Sequence, residues 1–117
     1  MIWKRMVTEI GMGTDIRGED QTKAAIRALK DALWHNSLGL AELVGSSSDD
    51  MRVDITIGVP RPEEVKKSDV LSVLPHGNGT IQCVEGGLEI PHPTRNTKTL
   101  IANAAAVVYL HCPDKIV

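Results

Sequence analysis

Residues 3–12 alternate as a half-buried strand does, with Met6, Thr8, Ile10 and Met12 on one side and Val7 and Glu9 on the other. Gly11 and Gly13 are expected to end that strand, because glycine weakens regular extended structure and permits a tight turn. The period then changes. Over residues 20–36, Ala25, Leu29, Ala32, Leu33 and Asn36 recur at three- and four-residue spacings and make one apolar stripe along a helix. Asp20 suits the N-cap, and Lys23, Arg27, Lys30 and Asp31 fall toward the wet side.

Residues 45–50 are polar, read as a surface loop, and are too few to separate two domains. Residues 51–59 are the clearest strand: Met51, Val53, Ile55, Ile57 and Val59 alternate with smaller or polar side chains. Pro60, Pro62, Glu63 and Glu64 suit a helical first turn, and a short helix is expected to run toward Leu74. Residues 80–85 and 88–90 flank Gly86-Gly87, an arrangement expected to form a hairpin whose second strand Pro91 and Pro93 stop. Val107, Val108 and Tyr109 favour a final strand over 99–110, although the alanines that precede them weaken that reading. The order strand, long helix, strand, short helix, hairpin, strand predicts a single α+β domain over residues 1–117. Its helices pack on one face of a mixed or antiparallel sheet.

At 117 residues, 42% of them hydrophobic, the chain can build one core but is too short to enclose a deep active site alone. A cleft shared by the subunits of a homo-oligomer, with a trimer favoured, is therefore expected. Two Trp, one Tyr and no Phe leave the core to aliphatic side chains and supply few platforms for stacking bases. Thirteen basic against fifteen acidic residues give a net charge of -2, and no basic block offers a footprint for nucleic acid. Cys83 and Cys112 lack any CxxC context, and nothing reads as a signal peptide, so both are expected as reduced thiols in a cytoplasmic protein. No apolar run approaches the ~20 residues of a membrane span. His92 and His111 have no partner at metal-ligand spacing, so neither a metal nor another cofactor is implied.

Chemistry concentrates in the segment Gly11-Met12-Gly13-Thr14-Asp15-Ile16-Arg17-Gly18-Glu19-Asp20. Glycines expose backbone N–H groups, Arg17 adds a permanent cation, and a helix begins at Asp20, a combination suited to a small anionic metabolite. Gly11, Gly13, Arg17, Gly18 and Asp20 are the candidate ligand-binding residues; an ordinary strand-to-helix turn capped by Asp20 is the alternative. The spacing matches neither a dinucleotide fingerprint nor a Walker loop. Glu9, Asp15 and His76 are the candidate acid/base residues. Glu9 lies opposite the apolar strand face, Asp15 is free to face a ligand or pair with Arg17, and His76 sits in a Pro-His-Gly-Asn-Gly turn. His35 is accounted for by helix termination, Cys83 by a place in the core, and Glu85 by solvation beside the Gly-Gly pair. The chain is read as binding its ligand at the intersubunit cleft, with or without turnover; a non-catalytic sensing or structural oligomer is the other class.

The segment Gly11-x-Gly13-x-Asp15-x-Arg17-Gly18 resembles the G-x-G-x-D-x-H-G signature of the Lin family of conserved hypothetical proteins. The resemblance extends through Thr22-Lys23-Ala24-Ala25, His35-Asn36-Ser37, Ile57-Gly58-Val59-Pro60 and Gly86-Gly87-Leu88. Arg17 replaces the signature histidine, which argues against a neutral base or metal ligand there. The order of elements is also similar to that of the trimeric chorismate mutases and reactive-imine deaminases. That resemblance implies a pseudo-barrel of three subunits with ligand clefts where their sheets meet.

Overall fold

The computed structural model describes residues 2–34, 51–74 and 78–112. Five strands form one mixed sheet: β1 (Ile2–Asp15), β2 (Met51–Val59), β3 (Asn78–Glu85), β4 (Leu88–Pro91) and β5 (Lys98–Cys112). Helix α1 (Gln21–Trp34) joins β1 toward β2, and a 3-10 turn (Pro62–Glu64) followed by the short helix α2 (Lys67–Leu71) joins β2 to β3. The strand order is β1-β5-β2-β3, with β4 also paired to β5. Among the described strands only β2 and β3 pair in parallel, which the helical crossover between them permits. The α+β class and the mixed sheet are as expected.

β5 is central because both of its edges are used, by β1 along Ile2–Asp15 and by β2 and then β4 on the other side. That position explains why an alanine-rich segment is extended: the ladder on each side satisfies its backbone, and small side chains suit the underside of a helix. Leu100, Ala102, Ala104, Ala106 and Val108 are buried there with Val53, Ile55 and Ile57 of β2 and Ala24, Ala25, Ala28 and Leu29 of α1.

Two local expectations are corrected. Gly11 and Gly13 do not end β1, which continues through Asp15. They lie beneath α1, where a Cβ on Gly13 would come within 2.6 Å of the Ala24 carbonyl oxygen, and one on Gly11 within 2.8 Å of the Ala32 Cα. Their small size serves helix-to-strand approach rather than a turn. Residues 80–90 do not form a hairpin either. β3 pairs parallel with β2, while β4 pairs antiparallel with β5 and takes over the edge that β2 vacates beyond Gly58. Since β2 is itself antiparallel to β5, β3 and β4 run the same way, and Gly86-Gly87 carries the chain sideways across the end of β2 without reversing it. Gly86 N–H donates to the Val59 carbonyl at 2.9 Å. Gly87 has φ of +64°, and a side chain there would collide with the Ile101 carbonyl.

Candidate functional site

α1 covers only one face of the sheet. On the other, the registers place Met12, Asn103, Gly58 and Val84 in one cross-strand row and Ile10, Ala105, Thr56 and Gln82 in the next. Gly58 and Ala105 are small, so each row dips between the larger side chains of β1 and β3. The result is a trough of about 660 Å³ lined by all of these residues except Gln82, with Asp31, Glu85, Gly86 and Gly87 also in its wall. Ile10 is 71% and Met12 56% exposed, and Val84, Leu88 and Ile90 are exposed too. These apolar side chains share the sheet face that α1 leaves uncovered. The sequence carried a signal for it, since Met6, Ile10 and Met12 share one strand parity, but periodicity does not say which parity the helix covers.

The odd-numbered side of β1 faces α1, so Glu9 and Asp15 lie under the helix and away from the trough. They are six strand residues apart, about 20 Å, too far to share one reacting atom. Burial pushes the Glu9 carboxyl above its ordinary value. Asp15 has a structural setting: its Oδ2 accepts the Asp20 N–H at 2.9 Å, and its Oδ1 lies 3.7 Å from Arg27. A side chain on Gly18 would press against that same Oδ2, at 2.7 Å. Asp15 therefore gathers the connection over residues 16–20 around its carboxylate. Asp20 caps α1, its Oδ1 accepting the Lys23 N–H at 3.1 Å. Arg17 is exposed. His76 and His35 lie outside the described residues.

Side chains of α1 also guard the outer edge of β1. Asp31 Oδ2 accepts the Met12 N–H at 2.9 Å, and Arg27 donates to the Thr14 carbonyl at 2.6 Å. Cys83 faces the helix side of β3, where burial raises its thiol pKa and Lys67 pulls weakly the other way, so the thiolate is disfavoured. Glu85 is exposed at the end of β3. Among the described residues no group of three or more His, Cys, Asp or Glu is placed to hold a metal, and no helix is long and apolar enough to cross a membrane.

Among curated proteins none matches this chain. Its fold is similar to the crystal structure of an FtsZ-like protein of unknown function from Nostoc punctiforme. The two chains are 37% identical, and they superpose with a TM-score of 0.81 over 96% of this chain and 99% of that one. The profile of a family described as conserved hypothetical protein (Lin0512_fam) matches residues 5–108, the span that holds most of β1, α1, the trough and most of β5. The chain belongs to the Lin0512 family of conserved hypothetical proteins.

Proposed function

We propose that this protein is a small-molecule-binding homo-oligomer, favoured as a trimer, in which neighbouring subunits cover the open sheet face and close the trough into an intersubunit cleft. The observation that carries this reading is the exposure of Ile10, Met12 and Val84 along that trough, with Leu88 and Ile90 exposed on the same sheet face, which no described helix covers. Exposed apolar area is driven out of water by association, and a dip between two such surfaces remains as a cavity. Asp31 and Glu85 beside the trough disfavour an anion at its centre. The anionic group of a metabolite is therefore assigned to exposed Arg17, with the backbone N–H groups near Gly18. The separation of Glu9 from Asp15 along β1 favours binding without turnover over acid/base catalysis.

A metabolite screen by thermal shift tests the reading. A ligand at 100 times its Kd stabilises by about 2.7 kcal/mol. Arg17→Ala is expected to weaken the best anionic hit while leaving the melting temperature of the free protein within a degree or so. Equal affinities of the two proteins would remove Arg17 from the site.

A further inference from the structure

Two of the three aromatic residues of this chain, Trp3 and Tyr109, meet at one end of the open sheet face. A β-bulge between Arg5 and Val7 makes this happen, because it shifts the parity of β1 and brings Trp3 and Arg5 onto the face that Thr8, Ile10 and Met12 occupy beyond it. Arg5, Tyr109 and Arg52 then form one cross-strand row, with Trp3 and His111 paired in the row beyond. The Arg52 guanidinium carbon lies 4.2 Å from the Tyr109 ring centre and 5.2 Å from that of Trp3. Trp3 is stacked in turn on His111, 4.7 Å between centres and 18° between planes.

These contacts set two aromatic rings against the Arg52 guanidinium. Asp54 Oδ1 approaches Nε at 3.3 Å without hydrogen-bond geometry and accepts the Thr80 hydroxyl at 2.8 Å. Neither Nη of Arg52 has a hydrogen bond among the described residues. Arg5 spends one Nη on the neutral Thr8 hydroxyl, at 2.7 Å. Arg5 and Arg52 thus flank Tyr109 in one row, with the Asp54 carboxylate against Arg52, in a setting where stacking has already removed much of the freedom an arginine loses on binding.

We propose that Arg52, held against Tyr109 and Trp3 and assisted by Arg5, is a binding site for the oxyanion group of a ligand, a carboxylate or a phosphate taken by the paired Nη donors. The ring faces are engaged by Arg52 and His111, so the site suits the charged end of a ligand better than a stacked base. All of these groups come from one subunit and lie beyond the trough along β5, at 109–111 against 103–105, so the site is complete without a partner subunit and does not use Arg17.

The test is a titration of the isotope-labelled full chain, followed by the NMR signals of the Arg52 guanidinium and the Trp3 indole. Benzoate and inorganic phosphate are the two probes, with sodium chloride as the ionic-strength reference. Saturable shifts of both signals with either probe are expected, and the tighter one identifies the kind of oxyanion. Arg52→Lys keeps the charge but not the fork, and should weaken the response about tenfold. Arg5→Gln, on an exposed side chain, should weaken it less, and Lys23→Gln on the far side of α1 should leave it unchanged. Shifts no larger than those caused by chloride would overturn the proposal, as would equal affinity in Arg52→Lys and the unaltered protein. If Arg52→Lys does not fold, an Arg5→Gln protein with unaltered affinity for both probes would overturn it instead.

Discussion

At the scale of single residues, two positions on the helix-facing side of β1 have opposite requirements. Gly13 lies so close to α1 that one added methyl group must displace backbone, which no rotamer change relieves. Gly13→Ala is expected to cost about 3 kcal/mol, the upper part of the range for overpacking, seen as a lower urea midpoint with an unchanged slope. Glu9, two turns of the pleat away, is a carboxyl where an apolar group would be more stable. Its folded pKa is raised, so the folded chain holds the proton to higher pH than the unfolded chain does. Its contribution to folding is therefore fully present below the ordinary carboxylate range and is lost as pH rises through the folded pKa. Glu9→Gln should be more stable than the parent at pH 7 and should lose that advantage on acidification; denaturant melts at several pH values measure the crossover.

At the scale of elements, α1 is defined at its start by two aspartates with different tasks. Asp20 caps the helix, and Asp15 holds the chain that leads into it. Asp20→Ala should cost about 1 kcal/mol by thermal or denaturant melting, and a loss below a few tenths would mean that the Asp15 contacts suffice. The helix, β2 and the short helical segment after Pro62 were legible because each has its own period or punctuation, whereas the final strand was legible only from the residue types of Val107, Val108 and Tyr109. The fate of Gly86-Gly87 was not. A Gly-Gly pair between two strand-like runs fits a reversal and a sideways step equally well, and the choice lay with β5, whose edge beyond β2 was free to accept β4.

At the scale of the whole molecule, the sheet face that α1 leaves uncovered is the surface proposed to meet other subunits. Ile10 projects from it without contributing to the core under α1, so Ile10→Glu should leave folding within about 0.5 kcal/mol while adding a charge to each proposed contact. Light scattering is expected to give a trimer mass for the parent and a smaller mass for the variant at the same concentration. A monomer mass for the parent would remove the intersubunit cleft, and with it the closure of the trough.

Local period and terminal chemistry act within a few residues of one another, and they were enough for the α+β class and the places of α1 and β2; residue type favoured β5, while Asp20 stood open between a cap and a ligand contact. The face of β1 that α1 covers, the meaning of Gly11 and Gly13, and the trough over Gly58 and Ala105 came from the packed chain alone. Those depend on which strands become neighbours and in what register. A pleated strand offers two faces of equal geometry, and it is the approach of a helix from elsewhere in the chain that makes one of them the inside.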